Sequence, residues 1–212
     1  QYIPDGLTNV KEIAAGHVHS LAVTTNGEVF AWGKNHYGQT DVPSDLSDVV
    51  SVSAGGYPYH SLALTASGQV VGWGNNWLGQ TDIPSDLSNV VAIDAGGGYS
   101  LALKADGEVV VWGQAFCGEQ EIILTEISDG IVSISAGNCY YLALRADGKV
   151  IKVASDETTL LPDLSNVVAI SADGGGNLAL KADGEVVSWY NTSNILIDVP
   201  SGYTWKVDVT CD

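Results

Sequence analysis

The sequence predicts an all-β chain, a β-propeller of four-stranded antiparallel blades, about five of them, with incomplete end blades. Three observations predict it. The stretch ALKADGEVV at 102–110 recurs letter for letter at 179–187. Around it a looser unit of about 40 residues covers nearly the whole chain, with Trp32, Trp73 and Trp112 separated by 41 and then 39 residues. Within each unit, short β-branched alternating runs are broken by Gly, Asn-Gly and Asp-Gly, the pattern of short strands joined by tight turns.

The elements follow in order. First strands read VVSVSAG (49–55), VVAIDAG (90–96), IVSISAG (131–137) and VVAISAD (167–173). Second strands read HSLAV (19–23), HSLAL (60–64), YSLAL (99–103), YYLAL (140–144) and GNLAL (176–180). Third strands read GEVFAWG (27–33), GQVVGWG (68–74), GEVVVWG (107–113), GKVIKVA (148–154) and GEVVSWY (184–190), so blade four has Val153-Ala154 in place of Trp-Gly and blade five has Tyr190 in place of the last Gly. Fourth strands read GQTDVPSDLS (38–47) and GQTDIPSDLS (79–88), with LLPDLS (160–165) a shorter echo. Sheets this small cannot bury both faces alone, so neighbours must stack around an axis.

These phases give one domain over 1–212, with blades at about 9–48, 49–88, 89–129, 130–165 and 166–202 and partial end strands at 1–8 and 203–212. YIPDGLTN (2–9) matches a fourth strand without its first three, and YTWKVDVT (203–210) a first strand without followers. Either the ends close the circle of blades themselves or a neighbouring subunit donates strands, because an open edge is a template for pairing.

Composition limits the partners. With 45% hydrophobic and 16% charged residues the chain can bury a core. Its net charge of −17, from 25 acidic against 8 basic residues, repels phosphate backbones and acidic membranes, so no nucleic acid partner is expected. No apolar run approaches the roughly 18 residues of a membrane-spanning helix, so no membrane insertion is expected. A first residue of Gln1 and the lack of Met suit a processed, secreted chain or a fragment.

Strand parity separates two ends of the blades. Loops after first and third strands emerge at one end and carry the aromatics: His17, His19, Tyr57, Tyr59, Tyr99, Tyr140 and Tyr141, then His36, Tyr37, Trp77, Phe116 and Tyr190. The opposite end is small, polar and acidic, with Asp45, Asp86, Asp106, Asp147, Asp163 and Asp183. Aromatics on loops of a rigid scaffold have the composition of a binding surface. The candidate partner-binding residues are His36, Tyr37, Tyr57, Tyr59, Trp77, Phe116, Tyr140 and Tyr141. His19, His60 and Tyr99, at the recurring position before the Leu-Ala pair, are expected to pack inward, and Trp32, Trp73, Trp112 and Trp189 to fill the space between blades.

No catalytic residue, metal or cofactor is expected. The four histidines share one end of blades one and two, but two of them are repeat residues rather than a dedicated ligand set. The His-Ser pairs at 19–20 and 60–61 are no dyad, because adjacent strand residues point to opposite faces. None of the glycine-rich stretches has phosphate-loop spacing with a lysine. The acidic turns lack the dense alternating carboxylates of a calcium loop. Cys117 and Cys139 fall at the aromatic end of adjacent blades and are expected to form a disulfide. Cys211 is left over, which in a secreted chain suggests an intermolecular bond. Asn191-Thr192-Ser193 is a formal glycosylation sequon.

AGGYPYHSLAL, VVGWGNNWLGQT and VVAIDAG together resemble the RCC1 (regulator of chromosome condensation) repeat over about residues 9–202, in a short bacterial form similar to the secreted β-lactamase inhibitory propellers. The resemblance implies a propeller, whereas the family spans exchange factors, a photoreceptor, ubiquitin-ligase modules and inhibitors. A photoreceptor needs arginine-held tryptophans, and the only arginine here is Arg145. The functional expectation is therefore a non-catalytic extracellular module that binds a protein partner through its aromatic end, with enzyme inhibition as one form. Alternatives are a structural subunit joined to its copies through the end blades, and a carbohydrate-binding propeller that stacks a glycan on Tyr and Trp.

Overall fold

The computed structural model describes residues 3–117, 120–122, 126–128, 130–154, 158–161, 164–190 and 196–198. The expected strand at 203–210, Cys211 and the sequon lie outside these. Five antiparallel sheets succeed one another along the chain. Blade one holds β1 (Val10–Ala15), β2 (His19–Thr24) and β3 (Val29–Gly33), and blade two β4 (Val49–Ala54), β5 (His60–Thr65) and β6 (Val70–Gly74). Blade three holds β7 (Val90–Ala95), β8 (Tyr99–Lys104) and β9 (Glu108–Gly113), an added hairpin β10 (Ala115–Cys117) and β11 (Gln120–Ile122), and β12 (Ile127–Ser128) on β9. Blade four is β13 (Ile131–Ala136), β14 (Tyr140–Arg145), β15 (Val150–Ala154) and β16 (Thr158–Leu160). Blade five is β17 (Val167–Ala172), β18 (Gly176–Lys181), β19 (Val186–Tyr190) and β20 (Leu196–Asp198).

Two expectations need correction. Blades one and two are three-stranded, because their GQTD-I/V-PSDLS segments run as consecutive turns. Pro43 and Pro84 have no N–H for a ladder, and Asp-rich turns compete with pairing. Phe116 and Cys117 sit in the added hairpin of blade three rather than in a simple loop, with side chains outside the described residues.

The repeat is repeated in backbone detail. Asn9, Asp48, Asn89, Gly130 and Asn166 each precede a first strand with φ between 54° and 64°. Asn, Asp and Gly are the residues that tolerate this left-handed conformation. Their carbonyls accept the N–H of Thr25, Ala66, Ala105, Ala146 and Ala182 at 2.8–3.0 Å, tying each blade's entry to its hairpin turn. Every first strand then carries a bulge at its second residue. Bulging turns Val91, Val132 and Val168 outward, which explains why they are exposed.

Blades pack through alternating faces of the second strand. Leu21 and Val23 meet Val49, Val52, Ala63 and Trp73 of blade two. Leu62 and Leu64 meet Val90, Ile93, Ala102 and Trp112. Leu101 and Leu103 meet Ile131, Ile134 and Tyr141, and Leu142 and Leu144 meet Val167, Val187 and Trp189. Each inner blade therefore sends leucines forward and receives its neighbour's on a face built from its first and third strands. At the two ends this exchange is unmatched. Ile13, the blade-one counterpart of Val52, is 74% exposed, and Leu178, the blade-five counterpart of Leu142, is 47% exposed. Trp32 is correspondingly only half-buried, whereas Trp73, Trp112 and Trp189 are buried.

First strands of all five blades line one axial cavity of about 910 Å³. Their side chains cross-link neighbours there. Ser53 Oγ accepts the Ala95 N–H at 3.1 Å, Asp94 Oδ2 the Ala136 N–H at 2.8 Å, and Ser135 Oγ the Ala172 N–H at 2.9 Å. Burial raises the Asp94 carboxyl above its usual range, while the Ala136 N–H, the Ser53 hydroxyl and the Ala95 N–H, all donated to it, oppose the rise.

Candidate functional site

The aromatic end is built on a row of buried latches. His19 Nε2 lies 2.9 Å from Ser61 Oγ in the next blade, and His60 Nε2 lies 2.9 Å from Ser100 Oγ. Ser61 Oγ also sits 2.8 Å from the Gln39 carbonyl, and Ser100 Oγ 2.8 Å from the Gln80 carbonyl. A carbonyl carries no hydrogen, so each serine donates to it and each imidazole must donate Nε2–H to the serine. The His-Ser contact is therefore wired against nucleophile activation, which needs the imidazole to accept. Burial holds the His19 imidazole down at about 4, partly offset by its contact with the His60 backbone; burial and the His19 charge hold His60 at about 3.

Blades three and four use tyrosine instead. Tyr99 OH donates to the carbonyls of Gly137 and Tyr140 at 3.0 and 2.6 Å. Tyr140 OH reaches the Asp173 carbonyl at 2.9 Å and Asn177 Oδ1 at 2.6 Å. Tyr140 and Tyr141 are both fully buried, so neither offers surface to a partner, contrary to the sequence expectation. Both belong to β14 itself, whose two faces are each covered by a neighbouring blade. Burial pushes Tyr140 up to about 12 and raises Tyr141 as well.

Blade two departs where it matters. Between Gly55 and His60 it has four residues, Gly56, Tyr57, Pro58 and Tyr59, where blades one, three and four have two. That insertion makes the first tryptophan spacing 41 rather than 39, a sequence signal that could have located it. Tyr59 takes φ 68°, unusual for a bulky residue, with its N–H donated to the Gly56 carbonyl at 2.6 Å. The conformation raises Tyr57 and Tyr59 out of the sheet.

There they meet rings from both flanking loops. His17 stacks on Tyr59 with centroids 6.1 Å apart, Tyr57 meets Tyr59 edge-on at 5.3 Å, and Tyr37 lies 6.0 Å from Tyr59. Tyr37 then meets Trp77 edge-on at 5.0 Å. Five rings form one continuous cluster across blades one and two. Trp77 is 68% and Tyr57 55% exposed, and His17 is exposed, while Tyr37 and Tyr59 are half-buried beneath them. His36 is exposed beside Tyr37 but joins none of these contacts.

The loops that carry Tyr37 and Trp77 are held from within. Gln39 and Gln80 are fully buried and accept the N–H of Tyr37 and Leu78, each at 2.9 Å. Asn35 accepts the Thr40 N–H and donates to Asp41, Asn76 does the same with Thr81 and Asp82, and Asn75 accepts the Trp77 N–H. Such loops present their rings with little conformational freedom left to lose on binding. Among the described residues no group of three or more His, Cys, Asp or Glu is arranged to hold a metal ion.

Comparison with known proteins agrees with this architecture. Residues 10–39, 49–80 and 90–119 match the regulator of chromosome condensation (RCC1) repeat. A 45-residue stretch, 21% of this chain and 9% of the relative, is 42% identical to the guanine nucleotide exchange factor SRM1 of Saccharomyces cerevisiae. The fold is similar to human WBSCR16 (TM-score 0.69, 21% identity, 85% of this chain and 61% of that one) and to Prp20p of Saccharomyces cerevisiae (0.67, 21%, 85% and 58%). It is also similar to the ectodomain of the Arabidopsis thaliana receptor kinase ACR4 (0.67, 17%, 89% and 68%). This chain thus spans about three fifths of the first two structures. The chain thus carries RCC1 repeats in its first three blades on a fold like that of RCC1 propellers, and the bulge, the left-handed entry residue and the turn glycine continue through blades four and five.

Proposed function

We propose that this chain is a non-catalytic, extracellular binding module that recognises a protein partner through the ring cluster of blades one and two. The observation that carries the reading is the continuity of five aromatic rings, three of them exposed, on loops fixed by buried Gln39 and Gln80. Large rigid rings are the side chains that dominate recognition energetics. The working surface is His17, Tyr37, Tyr57, Tyr59 and Trp77, with His36 at its rim and Phe116 of the added hairpin as a further member, and enzyme inhibition is one form the recognition takes. A disulfide of Cys117 with Cys139 fits an oxidising compartment, and Cys139 is in bonded form.

The test is affinity capture from source-organism extract with three proteins: the native chain, Tyr37→Ala/Trp77→Ala, and Asp106→Asn/Asp147→Asn at the opposite end. Loss of one identified protein with the ring variant alone supports the reading. Capture that survives the ring variant overturns it, and capture of glycans alone moves the chain to the carbohydrate reading. Exposed Ile13 and Leu178 favour a second reading, self-association through the end faces, which native mass measurement tests by comparing the native chain with Ile13→Glu and Leu178→Glu.

A further inference from the structure

The ring cluster opens onto the axial cavity, and the charge of that cavity narrows what it can receive. His17 and Tyr57 belong to both, since each contacts Tyr59 and each lines the cavity wall. Among the described residues the charged groups of the lining are Glu12, Asp94 and Asp173, with no lysine or arginine beside them. Asp94 is a strut, its two oxygens taken by Ser53, Ala95 and Ala136. Glu12 commits only Oε1, to the Ser51 hydroxyl and the Val52 N–H, and among the described residues Oε2 has no partner. Asp173 is exposed at the mouth.

Four of the eight bases of the chain are occupied elsewhere. Lys104, Arg145, Lys149 and Lys181 pair with Asp106, Glu108, Asp147 and Glu185 around the turns of the opposite end. Lys34, at the foot of the first aromatic loop, is the base nearest the cluster in sequence. Electron-rich ring faces beside uncompensated carboxylates attract a cation, and a planar guanidinium both stacks on rings and forks onto carboxylates. The net charge of −17 draws a basic partner in from solution.

We propose that the cluster and the cavity together receive an arginine-bearing basic segment of the partner protein, with the guanidinium against His17 and Tyr57 and within reach of Glu12 and Asp173. The inference rests on the recognition reading and adds the chemistry of the partner to it.

The test is fluorescence anisotropy with labelled Gly-Arg-Gly-Arg-Gly and its citrulline twin, which keeps the shape and removes the charge. The arginine peptide is expected to bind, and the citrulline peptide to bind about tenfold more weakly or not at all. Tyr57→Ala/Trp77→Ala and, separately, Glu12→Gln and Asp173→Asn should weaken the arginine peptide. Gln keeps Oε1 for Ser51 and Val52, and Asp173 is exposed, so these two variants leave the fold intact. Lys34→Gln should tighten binding, and Asp106→Asn/Asp147→Asn should leave it unchanged. Equal binding of the two peptides, no binding, or an equal loss with the opposite-end variant would overturn the inference. A natural partner that still depends on Tyr37 and Trp77 would then leave the recognition reading standing.

Discussion

Tyr141 stands directly across the strand pair from Val153, where the same register sets Ser61 against Trp73 and Ser100 against Trp112. Blade four has exchanged the large and small partners, so both departures from the repeat are one volume-conserving change. Tyr141→Ser alone should cost about 3–5 kcal/mol for the space it empties, and Val153→Trp alone about 1–3 kcal/mol for overpacking. The double variant should recover at least half of the summed loss. Urea unfolding of the four proteins checks this as a double-mutant cycle, and strict additivity would sink it.

His19 and His60 make the fold acid-sensitive. Their folded values, about 4 and about 3, lie below the ordinary 6.5. The unfolded chain therefore takes up protons first as pH falls, and the native state loses stability between about pH 6.5 and those values. Each histidine contributes a slope of about 1.4 kcal/mol per pH unit inside that window. Denaturation midpoints measured from pH 7 to 4 should fall for the native chain and fall less steeply for His60→Gln. An unchanged slope would refute the assignment.

Gly55 cannot carry a side chain while His60 is present. A Cβ there would lie 2.5 Å from the imidazole and 3.0 Å from the Gly96 carbonyl. Gly16, Gly96 and Gly137 face the rings of His19, Tyr99 and Tyr140 in the same way. Blade five shows the exception that supports the cause, because Asp173 replaces the glycine where Gly176 replaces the ring. Gly55→Ala should cost about 1–3 kcal/mol. In a His60→Ala background the same change should cost clearly less, as thermal unfolding of the four proteins will show.

Asp94 accepts three donors in a position where blades two and four use Ser53 and Ser135. Asp94→Asn places two N–H groups among donors and should cost about 1–3 kcal/mol. Asp94→Ser, which restores the residue of the neighbouring blades, should be the milder change. Chemical denaturation decides between them, and the reverse order would contradict the wiring described.

Peptide mapping without reductant should recover the Cys117 and Cys139 peptides as one species, with Cys211 outside it. Recovery of Cys139 joined to Cys211 would overturn that pairing.

The second and third strands of every blade, and the first strands of blades two to five, were legible because β-branched alternation and turn glycines repeat in phase; the first strand of blade one, VKEIAA, was not, since Lys11 and Glu12 stand where the others have a β-branched or small residue. The fourth strands of blades one and two were over-read, since Thr-Asp-Val/Ile-Pro looks extended although its proline and carboxylates favour turns. Strand parity placed Tyr37, Tyr57, Tyr59 and Trp77 at one end, but it carries no information on depth. Tyr140 and Tyr141 look as surface-bound as Tyr57 and Tyr59 until one counts the inserted pair in blade two. The His-to-Ser latches were missed because their partners are 40 and 42 residues apart, and adjacency in the sequence drew attention to the wrong serine.

Every latch crosses a boundary: an imidazole or phenol belongs to one blade and its acceptor to the next. The pairs His19–Ser61, His60–Ser100, Tyr99–Tyr140 and Tyr140–Asn177 overlap along the chain, so any cut between His19 and Asn177, at a blade boundary or within a hairpin, parts a donor from its acceptor. What a graft must preserve is therefore the period: each unit added or removed has to carry one forward donor and one acceptor, and the Asp173-Gly176 pair of blade five marks where the series of forward donors stops.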